Sequence, residues 1–298
     1  MHYGTPASID QVEPYYTHIR RGRTPEPELL EDLIRRYKAI GGPSPLTRIS
    51  EDQAAGIQQG LKRRGIDTNL YIGTKHTQPF VGDAVKQMVA DGIEEAVGVV
   101  LAPHFSSYSV AQYKKYATDA LESTGSKMRL EFVDRWGTMP SFIEGLKERV
   151  SEKIKGWDPA DTLVIFSAHS LPVRAVANGD PYVDELMETS RLVAEGLNLP
   201  RWTFAFQSAS TTGEPWLGPD ILEVIERQAV GTVKNVLSCT VGFVSDHLEV
   251  LYDLDIETRE RCKELGLEFR LARVINADEK VMDGLAELAA ARIAALAR

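Results

Sequence analysis

Cysteine is nearly absent from this chain. Its 298 residues hold two, Cys239 and Cys262, and neither lies in a C-x-x-C pair. That argues against a zinc ribbon, a cysteine-ligated cluster and a disulfide framework, and points to a reducing cytoplasm. No run approaches the roughly 18 apolar residues that a membrane-spanning helix needs, so no membrane insertion is expected. The opening residues MHYGTPASID lack the basic start and apolar core of a secretory signal. An excess of positive charge is also lacking, with 34 Lys and Arg against 43 Asp and Glu. The net charge of −9 opposes a phosphate backbone, which disfavours nucleic acid as a partner. Low-complexity segments and short-period repeats are lacking too. What is present, 43% hydrophobic and 26% charged residues, is ordinary for a globular protein with room for two domains.

Apolar, β-branched runs alternate with amphipathic stretches from end to end. Strands are expected at NLYIG (69–73), AVGVVLA (96–102), LEFVD (130–134), DTLVIFSA (161–168), WTFAFQ (202–207), VKNVLSC (233–239) and EFRLARV (268–274). Several are apolar throughout, which suits parallel strands buried on both faces. Helices are expected between them: one opened by a capping box at Ser50, others after Pro181 and Pro219, and a last one over 278–297. Alternation of this kind implies an α/β fold with parallel sheets flanked by helices. The weakly apolar stretch SEKIKGWDPAD (151–161) divides the chain into halves, 1–155 and 156–298, with the last helix expected to pack across onto the first. Gly4-Thr5-Pro6 reads as the turn after a strand, yet only three residues precede it. The expectation is that the chain lacks its natural start.

Ligands in open parallel sheets bind beyond the carboxyl ends of the strands. Those ends carry His76, His104 and His169, with His247 in the last such loop. His169, in SAHSLP, suits a metal ligand or a proton acceptor, against the plainer reading of a loop histidine bonded to backbone. Asp246, Glu249, Asp253 and Glu257 fall three and four residues apart, on one face of an α-helix. Asp246 and Glu249 could serve as a cap and first-turn acid, but the helix dipole does not explain Asp253 and Glu257. A path for a divalent cation competes there with a solvated face. Arg20, Arg21 and Arg23, followed by Arg35 and Arg36, form a basic turn in an acidic protein. They suit carboxylates or phosphates, unless Glu26 and Glu28 simply balance them. Tyr15, Tyr16 and Tyr37 nearby would suit a flat anionic ligand.

Taken together, SAHSLP, VGFVSDHLEVLYDLDIE, APHFSSYSV, YYTHIRRGR and PWLGPD resemble the ferrochelatases, most of all the bacterial coproporphyrin III branch, of which the tyrosine of YGTP is a mark. The resemblance implies two Rossmann-like halves with a porphyrin cleft between them. It implies insertion of ferrous iron into coproporphyrin III with release of two protons, in heme biosynthesis. His169 matches the catalytic, metal-binding histidine and Glu249 its facing glutamate. Tyr3 matches the residue over the iron of the product. Arg20, Arg36, Tyr37, Ser44 and Tyr113 match positions that hold the macrocycle, and Asp253 and Glu257 the acids leading to an outer cation site. No tightly bound cofactor is expected: Fe2+ is a substrate, Mg2+ an occupant of the outer acids, and an iron–sulfur cluster is not expected. A monomer acting on small molecules is implied. Two departures stand out, the missing strand before YGTP and His2 beside the pocket. The alternatives are a protoporphyrin IX ferrochelatase, a cobalt or nickel tetrapyrrole chelatase, a non-catalytic porphyrin or metal carrier, and a two-lobed binding protein of periplasmic type.

Overall fold

The computed structural model describes residues 1–209 and 213–297. Two parallel sheets organise the chain. One pairs β1 (Glu95–Val99) with β2 (Arg129–Val133). The other orders β3 (Thr162–His169), β4 (Trp202–Gln207), β5 (Asn235–Thr240) and β6 (Glu268–Leu271) as β4-β3-β5-β6. The α/β expectation therefore holds, and six of the seven expected strands form. β5 is buried along its whole length and β3 up to its last residue, as apolar strands covered on both faces should be.

Helices fill the connections. The first half carries α1 (Val12–Ile19), α2 (Pro27–Ala39), α3 (Leu46–Arg63), α4 (Val81–Ala90), α5 (Val110–Thr124) and α6 (Pro140–Ile154). The second carries α7 (Val173–Ala177), α8 (Tyr182–Gly196), α9 (Ile221–Val224), α10 (Thr258–Glu264) and α11 (Glu279–Leu296). Local chemistry sets their starts. Pro27 and Pro140 begin helices where a missing N–H costs nothing. Asp220 caps α9 by accepting from Leu222 N, and Asp278 caps α11 by accepting from Lys280 N and Val281 N. α11 packs on α3, β1 and β2. Gly60 permits the approach to α3, since a Cβ there would lie 2.5 Å from Ala286 Cβ. Among the described residues no helix is long and apolar enough to cross a membrane.

Three expectations fail for identifiable reasons. Ser50 does not open a helix: α3 begins earlier, at Leu46, and Ser50 is buried inside it. Ser44 sits at that start instead, its Oγ accepting from Leu46 N at 3.2 Å. NLYIG (69–73) is not a strand, because a strand needs a partner and β1 pairs with β2 alone. The acidic stretch is not a regular α-helix. Val250–Glu257 form a π-helix, in which Thr258 N donates to Asp253 O five residues back. A spacing of three and four residues does not separate these two geometries.

His104 links the segment after β1 to α8. It is 2% exposed, and its Nε2 lies 2.7 Å from Thr189 Oγ1 on α8, while Thr189 Oγ1 donates to Gly137 O at 2.9 Å. Burial pushes its pKa down to about 3. Between that value and the ordinary 6.5 the unfolded chain takes up a proton that the folded protein refuses, so stability falls as the pH falls through this window. Denaturant titrations at pH 7 and 5 should show His104→Gln losing less stability on acidification than the parent, by up to about 1.4 kcal/mol per pH unit. Equal acid slopes would contradict a neutral His104 in the folded state.

Candidate active site

β3 ends in His169, and the loop after β5 brings Glu249 opposite. Val241 N donates to Ser167 O at 2.9 Å, so this loop leaves along β3. Gly242 makes the close approach possible: a Cβ there would lie 2.5 Å from Ala168 Cβ. Gln53, buried in α3, pins the loop further along. Its Nε2 donates to Asn276 O at 2.9 Å and its Oε1 accepts from Ser245 Oγ at 3.2 Å. Asp246, expected to cap the helix, accepts instead from Asn276 Nδ2 at 2.7 Å. His169 Nε2 then stands 3.6 Å from Glu249 Oε2, with the two side chains 31% and 32% exposed.

The proton inventory of this pair is informative. His169 Nδ1 faces the Ser170 carbonyl, which only accepts, so Nδ1 carries a hydrogen. A neutral ring therefore presents the Nε2 lone pair to Glu249. Glu249 Oε2 is itself buried and has no hydrogen-bond partner among the described residues. Two acceptors facing each other at this distance are matched by something positive between them, either a proton or a metal ion. Tyr182 OH donates to His169 O at 3.2 Å, and the rings of Trp216 and Phe243 lie 6.2 and 6.3 Å from the imidazole.

The other acids continue from Glu249 along the π-helix. Asp253 is 8% exposed. Its Oδ1 accepts from Arg36 Nη1 at 3.1 Å and its Oδ2 from Ser208 Oγ at 2.5 Å, Ser208 being held at φ 58° beyond β4. Burial first, and then the charge of Glu249, push the Asp253 pKa up to about 6. Glu257 is also raised, mainly by desolvation. Asp255 leaves the row to pair with Arg259.

Tyr3 is 41% exposed, its ring 4.5 Å from that of His76. Tyr15 OH donates to Gly4 O at 3.3 Å, and Tyr37 OH lies 3.4 Å from Thr5 Oγ1. Tyr3, Tyr15 and Tyr37 all sit within the field of Glu249. Desolvation is the larger cause, but that charge also raises their pKa values, that of Tyr37 to about 12. Tyr113 is buried beside Tyr3. The Lys75 ammonium lies over both rings, 5.6 Å from Tyr3 and 5.9 Å from Tyr113.

The structure thus gathers Tyr3, Tyr37, Tyr113, His169, Glu249 and Asp253 around one centre. Ser44 is engaged at the start of α3. Arg36 spends Nε on Asp32 and Nη1 on Asp253. Among the described residues Arg20, Arg21, Arg23 and Lys75 form no ion pair, so Glu26 and Glu28 do not balance the basic turn. Lys75, Tyr182 and Gln207 were not anticipated. Gln207 ends β4, paired in register with His169, and the strand-end rule could have found it, whereas Lys75 follows residues 69–73, which form no strand. Tyr182 follows Pro181 at a helix start and carries no such signal.

Comparisons with known proteins bear on the family and the fold. The family description Ferrochelatase matches residues 1–293. A coproporphyrin III ferrochelatase of Halalkalibacterium halodurans is 44% identical over 301 residues, covering 99% of this chain and 96% of that relative. A ferrochelatase of Herpetosiphon aurantiacus is 43% identical over 288 residues, covering 95% and 94%. Among solved structures, SirB from Bacillus subtilis with Fe3+ superposes with a TM-score of 0.58 at 13% identity, covering 80% of this chain and 87% of that one. The last likeness concerns the fold alone.

Arg36 holds the Asp253 pKa down against its burial. Arg36→Met should therefore move the apparent pKa of Asp253, followed by carboxyl carbon NMR, upward from about 6. A titration that did not move would contradict the pairing.

Proposed function

Because this chain belongs to the ferrochelatase family, and ferrochelatases insert a metal into a porphyrin in heme biosynthesis, we propose that its substrates are ferrous iron and coproporphyrin III. Fe2+ and the free-base macrocycle combine to give the iron porphyrin and two protons. The observation that carries this reading is the facing pair, His169 Nε2 and Glu249 Oε2, 3.6 Å apart beneath a wall of tyrosines.

Metallation has two difficulties, stripping ordered water from the ion and removing two N–H protons from a flat ring. Carboxylates are hard oxygen ligands that replace that water. In this reading a hydrated divalent cation, Mg2+ or the incoming Fe2+, meets Glu257 first. Asp253 and Glu249 then pass the iron inward. His169 Nε2 takes one pyrrole proton and Glu249 Oε2, which has no hydrogen-bond partner among the described residues, takes the second as the iron leaves it for the ring. The macrocycle lies against Tyr3, Tyr37 and Tyr113, and its propionates meet Arg20 and the Nη2 of Arg36, which Asp32 and Asp253 leave free, with Ser44 at the rim. Binding energy from these remote groups bends the ring and exposes its lone pairs. The reading requires no resident cofactor, no iron–sulfur cluster and no second subunit, and it places the enzyme in the cytoplasm.

The choice of coproporphyrin III rests on charge. Four propionates need more cationic partners than two, and among the described residues Arg20, Arg21, Arg23 and Lys75 form no ion pair in a protein of net charge −9. An anaerobic absorbance assay with Fe2+ should show kcat/KM for coproporphyrin III at least about tenfold above that for protoporphyrin IX, the value of one good charged contact. Equal or reversed preference would overturn the substrate assignment. Binding without conversion would make the protein a carrier.

His169→Ala should lower kcat by about a hundredfold or more while leaving porphyrin affinity within about tenfold, as loss of a proton acceptor would. Near-normal turnover would remove it from the catalytic role. Asp253→Ala should raise the KM for iron; an unchanged KM would leave Asp253 as the ion-pair partner of Arg36 and nothing more.

A further inference from the structure

Gln207 closes β4 with a side chain for which the fold gives no use. It is 1% exposed, yet neither its Nε2 nor its Oε1 has a hydrogen-bond partner among the described residues. Its backbone carbonyl, by contrast, is bonded: Ser170 N donates to Gln207 O at 2.8 Å. A buried carboxamide left unbonded is costly, and a leucine would fill much the same space without that cost. Costly features of this kind gather at functional sites.

Its surroundings indicate which function. Gln207 pairs in register with His169, and residues in register on parallel strands turn their side chains to one face of the sheet. Ile165 and Ala205, an even number of residues before His169 and Gln207, lie on that same face. Both share one buried cluster with Val250 and Leu254 of the π-helix. Phe166 and Phe206 belong to the core on the opposite side. The face that carries His169 and Gln207 is therefore the one beneath Glu249 and Asp253. Ser208, the next residue, already reaches Asp253 through its Oγ. The unbonded carboxamide and the unbonded Glu249 Oε2 thus both neighbour His169.

We propose that Gln207 is the third ligand of the cation held between His169 and Glu249, offering its carboxamide oxygen. This rests on the reading of that pair given above. A carboxamide oxygen is a hard donor that divalent cations accept beside imidazole and carboxylate. It is also neutral. Imidazole, carboxamide and one carboxylate leave a divalent ion with a net positive charge, so the set holds the ion without neutralising it and can yield it to a ring that gives up two protons. A second carboxylate at this position would cancel that charge and hold the ion more tightly. Gln207 is thus assigned to holding and releasing the metal, while proton transfer stays with His169 and Glu249.

The experiment measures binding of Co2+ alone to the full chain, by calorimetry and by its visible d–d absorption, together with melting in the absence of metal. His169→Ala should weaken Co2+ binding at least about tenfold, which locates the ion at the pair. Gln207→Leu should also weaken it at least about tenfold. That variant should melt no lower than the parent, because it removes an unbonded polar group. Gln207→Glu should bind Co2+ at least about fivefold more tightly and insert iron more slowly. Ser238→Ala, which removes a buried, unbonded hydroxyl deeper on the same face, should match the parent. Equal affinity in the parent, Gln207→Leu and Gln207→Glu, with His169→Ala still weakened, would overturn the proposal and leave the pair intact. So would a Gln207→Leu chain melting well below the parent, since the carboxamide would then be serving the fold. Unchanged affinity in His169→Ala would overturn the reading of the pair itself, and this proposal with it.

Discussion

An imidazole lone pair and a carboxylate oxygen 3.6 Å apart repel one another until something positive lies between them, and much of this structure serves to keep them there. β3 delivers His169 from a fully buried strand, and the Ser170 carbonyl and Tyr182 hydroxyl fix the ring and its backbone. Glu249 arrives from the neighbouring strand through a loop that only glycine lets pass at position 242, with Gln53 and Asn276 holding it from behind. Each wall is rigid for its own packing reason. The gap between them is consequently a property of the fold rather than of two flexible side chains.

Charge is distributed around that gap in two zones. The acids run outward along a π-helix, and the desolvated Asp253 is kept in place by Arg36 and Ser208. The cations that form no ion pair among the described residues stand apart, on the arginine turn and at Lys75. The two zones meet at Tyr3, which lies in the field of Glu249 and under the Lys75 ammonium. Arg36 stands between them: its Nε donates to Asp32 and its Nη1 to Asp253.

The sequence made the strands, their parallel sense and the strand-end histidines legible, because burial on both faces and turn chemistry are local signals. The 69–73 segment was misread because strand formation depends on a neighbour, which no local pattern records. The π-helix was hidden because acids four residues apart fit two kinds of turn. His104 looked like its neighbours at strand ends, yet its placement against Thr189 makes it a joint rather than a reactive group. Tyr182 and the engagement of Arg36 by Asp253 involve residues far apart in the chain and needed the fold to appear. The residue roles at His169, Glu249 and Tyr3 came from resemblance, and the structure adds where these side chains stand.

The central claim is that one cation is shared by His169 and Glu249. Crystals exposed anaerobically to Fe2+ and recorded on both sides of the iron absorption edge address it directly. The account predicts an anomalous peak bridging His169 Nε2 and Glu249 Oε2, lost in His169→Ala. Iron confined to Asp253 and Glu257, or bound equally well without the imidazole, would contradict it.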